Sequence, residues 1–156
     1  MANSNPLTAG NEAARARLEA LLAVVSDEQL LLSLGEGWNV AAMLGHLAFW
    51  DGRVLGLIER WEAGGEVEPN PMDTEIINYA LQGVCLAIAP RKAAALALNA
   101  AKAVDWRIEH LDDALWQRIQ AGGMAPRMDR SHHRIEHIDQ ILEALGYGKP
   151  RPTAGN

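Results

Sequence analysis

The sequence predicts an all-α fold, a four-helix bundle with short connecting helices. Three observations carry that prediction. Apolar residues recur at helical spacing through long stretches of the chain. Leucine and alanine are abundant, Phe49 is the only phenylalanine, and the strand-like alternation of β-branched and aromatic residues is almost absent. Capping residues, glycines and prolines punctuate the stretches where helices should start and stop. The 156 residues suit one domain with a substantial core. The expected division is a flexible N-terminus over 1–9, a helical domain over 10–146 and a flexible tail over 147–156.

The first helix is expected from Asn11 to about Val25, on the spacing of Ala14, Leu18, Leu21, Leu22 and Val25, with the Asn11 side chain as its cap. Ser26-Asp27-Glu28 opens a short amphipathic piece that ends in a turn at Leu34-Gly35-Glu36-Gly37. The second long helix is the best marked. Trp38 precedes Asn39, a good N-cap, and the chain runs from Val40 to about Ala63 before Gly64-Gly65 stops it. Trp38 is placed to pack back on the first turns. A polar loop with two prolines leads to a helix from Asp73 to about Ile88. Pro90 fits the first turn of the next, alanine-rich helix, which runs to about Leu111. Asp112-Asp113 mark a break or a new cap, and Gly122-Gly123 sit in a loop before a last helix that ends at Gly146.

Charge and segment lengths exclude several functions. The chain has 14 basic and 20 acidic residues, a net charge of -6, with no basic stripe to neutralise a row of phosphates. No nucleic-acid partner is expected. No apolar run approaches the ~20 residues of a membrane span, and the amino terminus has no signal pattern. The single cysteine, Cys85, lies among Val84, Leu86 and Ile88, so it reads as a buried, inert thiol. A cytoplasmic protein without a membrane partner is the expectation.

Three of the five histidines fall within six residues at the head of the last helix. His133 and His137 are four apart, which stacks them on one face roughly 6 Å apart along the axis. His132 projects about 100° away from His133 and is the odd one out. Such a pair is half of a transition-metal site, or else an ordinary pair beside the core. His46 lies on the apolar face of the second long helix, between Met43 and Trp50. Alone it reads as a hydrogen-bonded core residue; with the pair it completes three imidazoles from two helices. Three protein ligands with a fourth position open is the arrangement of a catalytic metal. His133-Arg134-Ile135-Glu136-His137 also fits H-x-x-E-H, a protease pattern, but the glutamate ligand that pattern needs far downstream does not exist here.

These residues carry a resemblance. Trp38-Asn39-Val40, then Leu44-Gly45-His46-Leu47-Ala48-Phe49-Trp50-Asp51, and finally His133-Arg134-Ile135-Glu136-His137-Ile138-Asp139-Gln140-Ile141, together resemble the DinB/YfiT-like superfamily over about residues 10 to 146. The resemblance implies an up-down-down-up four-helix bundle, often a homodimer. It also implies a divalent metal, zinc or nickel most often, on His46, His133 and His137. Some members are thiol-dependent enzymes, which implies a low-molecular-weight thiol as a cosubstrate. These 156 residues hold no stretch that resembles the second domain of the mycothiol-dependent maleylpyruvate isomerases, so that particular activity is the less expected one.

The expected function is a metal-dependent enzyme of thiol S-transferase or hydrolase type acting on a small molecule. A non-catalytic metal or small-molecule binder and a purely structural bundle are the alternatives. Glu136 is the candidate base or imidazole partner, with solvent exposure as its ordinary state. Arg53, in line with His46, is the candidate for holding a carboxylate, with a surface ion pair as the ordinary reading. Asn78 and Tyr79 are further candidates for the cavity wall, and Trp61, Trp106 and Trp116 for a partner interface.

Overall fold

The computed structural model describes residues 7–148, and these form a helical bundle. In chain order they make α1 (Thr8–Val24), α2 (Asp27–Leu30), a ribbon of β1 (Ser33–Gly35) and β2 (Trp38–Asn39), α3 (Val40–Glu62) and α4 (Thr74–Leu86). There follow α5 (Pro90–Glu109), α6 (Asp113–Ala121), a 3-10 turn (Ala125–Met128) and α7 (Ser131–Ala144). The long helices α1, α3, α5 and α7 make the bundle, with α3 against α5 as its most extensive seam and α1 against both α5 and α7. None of the described helices is long and apolar enough to cross a membrane. The expected flexible ends fall largely on residues 1–6 and 149–156, outside the described residues.

The caps explain most boundaries. Asn39 Oδ1 accepts from the Ala42 amide at 2.8 Å and starts α3, as its position before Val40 predicts. Asp73 and Asp112 do the same for α4 and α6. Ser26 and Gln29 form a reciprocal capping box on α2. Pro90 occupies the first turn of α5. At the far end of α7 the Gly146 backbone turns to φ 84°, and the Tyr147 amide reaches back to the Leu142 carbonyl.

Two local expectations are corrected. The turn at 34–37 is the tip of a short antiparallel ribbon, with Ser33 opposite Asn39 and Gly35 opposite Trp38. Gly35, Glu36 and Gly37 all take positive φ there, and the Glu36 carbonyl accepts from Gln82 Nε2 on α4. The second correction is Asn11. Helix α1 begins at Thr8, so Asn11 lies inside it and is buried. Its side chain donates to the Met128 carbonyl at 2.9 Å and accepts from the Arg130 amide at 2.8 Å. Those two backbone groups sit where the 3-10 turn hands over to α7, and buried they need partners. Asn11 therefore supports the head of the last helix, not the head of its own.

The core divides into two apolar clusters. One gathers Leu18, Leu44, Leu47, Ala97, Ala101 and Ile141. The other gathers Val54, Ile58, Trp61, Ile108, Ile119 and Met128. Near where the two clusters meet along the sequence, three helices each bury a charged residue: Asp51 on α3, Asp105 on α5 and Arg134 on α7. Of the tryptophans offered for a partner interface, Trp61 is fully buried in the second cluster, so that expectation fails for it. Trp106 is exposed and stacks on His110.

Candidate metal centre

Helix α3 presents His46 from its second turn, and α7 presents His133 and His137 from its first two turns. Their ring centroids lie 4.8–5.0 Å from one another. One nitrogen from each falls within 4.8 Å of the other two. Nε2 of His46 and Nε2 of His133 are 3.0 Å apart, close to the ~3.3 Å edge of a tetrahedron with metal–nitrogen bonds near 2 Å. His132 takes no part; its exposed ring pairs with Asp129 Oδ2.

The local reasons are legible. Gly45, just before His46, lets α4 approach closely: an added Cβ would stand 3.1 Å from Cys85 Sγ and 3.3 Å from Cys85 Cβ. Cys85 is buried, and that burial raises its thiol pKa, so it is inert in this position. Trp38 meets the His46 ring edge-on, with centroids 5.6 Å apart. The His137 ring is oriented by Gln140: its Nδ1–H donates to Oε1 at 3.1 Å, which leaves Nε2 with the lone pair.

Electrostatics favour neutral, ligating imidazoles. Burial, then the charge of His137, lowers His46 to about 4. Burial lowers His133 to about 3, helped by the positive charges of His137, Arg130, His46 and Arg134. Both rings are therefore unprotonated at neutral pH, the form a metal needs. His46 Nδ1 is buried with no hydrogen-bond partner among the described residues. A proton on that orphan atom leaves Nε2 as the lone pair facing the other two rings. The donor set fits a divalent transition metal.

Behind the histidines lies a network that the sequence reading passed over. Arg134 is 0% exposed and forks onto Asp105 through Nη1 and Nη2 at 3.0 and 2.8 Å. Its Nε donates to Asp51 Oδ2 at 3.0 Å. Arg130 Nε donates to the other oxygen of Asp51 at 2.8 Å. Arg15 Nε lies 2.9 Å from Asp105 Oδ2, within ion-pair range but off the hydrogen-bond direction. Burial pulls the Arg134 pKa down, yet its hydrogen bonds to Asp105 and the charges of both carboxylates outweigh that and raise it. Asp51 thus ties the His46 helix to the residues on either side of His133. A signal for this existed: Leu47, Asp51, Val54, Ile58 and Trp61 form one stripe, and so do Arg134, Ile138 and Ile141.

The comparison with known families matches residues 11–107, more than half of the chain, to the DinB superfamily. The chain belongs to the DinB superfamily. The match takes in His46 but stops before His133 and His137, so the completed trio rests on the geometry above. Comparison with curated proteins and with solved structures gives no significant match.

In this DinB protein the three histidines open onto a cavity of about 910 Å³. Trp50, Asn78, Trp116, Arg127, Arg130 and Glu136 are among its lining residues. Asn78 also holds Trp50, accepting its indole N–H at 3.1 Å. Tyr79 is not in the wall and is 83% exposed. Trp116 is in the wall rather than on an outer face. Glu136 is exposed within the wall. Arg53 is not a lining residue; its guanidinium lies over the Trp50 ring, 5.9 Å from the centroid.

Proposed function

We propose that this DinB protein is a divalent-metal-dependent enzyme acting on a small molecule, by hydrolysis or by transfer to a thiol. The observation that carries it is the convergence of His46, His133 and His137 at a cavity of about 910 Å³, a size suited to a small ligand. Zinc or nickel would be held by the three imidazoles and would supply an acidified water or an activated thiolate. The chain's own groups do the rest. Gln140 fixes the His137 ring, and Asp51 fixes α7 against α3 through Arg130 and Arg134. Glu136 stands one turn after His133 with no partner among the described residues, and takes up the proton released by the attacking water or thiol. The homodimer and the cytoplasmic setting implied at the outset belong to this proposal. The exposed Ile76, Tyr79 and Val84 on α4 offer a surface for self-association.

Metal content decides the matter. Mass spectrometry on untagged protein should find about one equivalent of metal, lost in His46→Ala and in His137→Ala. No metal above background in the wild type after zinc or nickel is offered would end the proposal. Metal bound without turnover of any thiol or ester substrate would favour a binder over an enzyme.

A further inference from the structure

The net charge of -6 does not describe the cavity. Arg127 projects into it from the 3-10 turn and has no ion-pair partner among the described residues. Arg130, also a lining residue, is 7% exposed and uses Nε on Asp51, with Nη2 3.3 Å from His133 Nδ1. Its Nη1 has no partner among the described residues. The network behind Arg130 cannot neutralise it fully: Arg15, Arg130 and Arg134 share only Asp51 and Asp105. Arg53 adds a fifth guanidinium behind Trp50. Burial, and then the charges of Arg127 and Arg130, lowers the Arg53 pKa, so the three guanidinium groups act on one another across the site. The amino end of α7 points the same way, since Arg130 is its N-cap and the helix dipole is positive there.

Two acids also line the cavity. Asp129 is already committed, accepting from the amide and hydroxyl of Ser131 and pairing with His132. Glu136 lies six residues beyond Arg130 on α7, about 9 Å further along the axis. The cavity therefore has a cationic end at the start of α7 and an acid at the other side of His133. The tryptophans Trp50 and Trp116 supply apolar wall.

We propose that the cavity takes a small organic anion, with its carboxylate between Arg127 and Arg130 and its apolar body against Trp50 and Trp116. This rests on the metal-site reading for its reactive end. The anion's far end then lies toward the three histidines and Glu136, where the reaction would occur. His133 links the two ends. Metal-free, His133 Nδ1 accepts from Arg130 Nη2 and the ring proton is on Nε2; a metal on Nε2 would shift that proton to Nδ1, which then no longer accepts from Arg130 Nη2. That frees a second N–H of Arg130 for the anion, and a bidentate clamp on a carboxylate needs two.

The test compares phenylacetate with its neutral isostere phenylacetamide, by calorimetry and ligand-observed NMR, on the full chain with and without zinc. Phenylacetate should bind about tenfold more tightly than phenylacetamide to both forms, and more tightly still to the zinc form. Arg127→Ala should weaken phenylacetate by about tenfold while leaving phenylacetamide and zinc affinity unchanged. Arg127 is exposed, so the variant should fold normally, which circular dichroism checks. Equal affinity for acid and amide, an Arg127→Ala variant that binds phenylacetate like the wild type, or no phenylacetate binding would each overturn the anion site. Failure to bind zinc would instead strike the metal-site reading, and the metal-free comparison would still judge the anion site.

Discussion

Asp51 is the residue on which most of the site's rigidity converges. It is 1% exposed and serves two guanidinium groups, one from each of the residues flanking His133 by three and by one. Removing a carboxylate from such a place leaves buried charge without its counter-ion, a loss of about 3–5 kcal/mol. Asp51→Ala should lower the stability seen in urea denaturation by about 3 kcal/mol or more. Breaking the exposed Arg17–Asp139 pair with Arg17→Ala should change it by less than about 1 kcal/mol. Equal effects from the two variants would mean that the network contributes no more than a surface pair. The histidines were legible in the sequence because their spacing is a ligand spacing. Asp51, Asp105 and Arg134 were not, because a charged residue inside an apolar stripe shows only that something is buried there. Which acid meets which guanidinium depends on helices that are distant in sequence.

At the scale of elements, the contact between α3 and α4 is set by a missing side chain. Gly45 receives Cys85, and Cys85 is the only fully buried residue of α4. Gly45→Val should force the helices apart and destabilise the protein by about 1–3 kcal/mol. Because Asn78 on α4 holds Trp50, the same change should loosen the cavity wall and alter tryptophan fluorescence. Pairing Gly45→Ala with Cys85→Ala should cost less than the sum of the two single losses, since the second change removes the sulfur that the new methyl meets. Additive losses in the double variant would mean the two residues do not share one contact. Helix starts were the most readable features here, as Asn39, Asp73, Pro90 and Asp112 all cap or open helices where the sequence places them. Asn11 misled because its residue type announces a cap, whereas its side chain serves backbone groups more than a hundred residues away.

For the whole molecule, the low imidazole pKa values tie stability to pH. The unfolded chain titrates its histidines near 6.5, whereas His46 and His133 titrate at about 4 and about 3 in the fold. Above pH 6.5 neither state takes up these protons and the full stability is present; below it the unfolded chain binds them first. Metal-free protein should therefore lose stability from about pH 7 to about pH 5, with His46 alone accounting for roughly 2 kcal/mol at the lower end. His46→Gln should flatten that slope in denaturation curves measured across the range. A wild-type curve that is level between those pH values would contradict the burial of neutral histidines. The bundle itself was legible from apolar periodicity, and the family match agrees with it. The two-cluster core with charges between them was not, since periodicity reports a face and not its partner.

The Asn11 clamp has a consequence in time. It joins α1 to a segment 117 residues later, and the His46 and His133 nitrogens that meet come from positions 87 apart. On the ribosome, α1, α3 and α5 emerge well before the ligands of α7 exist. A chain arrested before residue 133 holds one of the three imidazoles and has no trio to offer. Any ion that this trio holds is thus captured late in maturation, once the last helix has packed against α3.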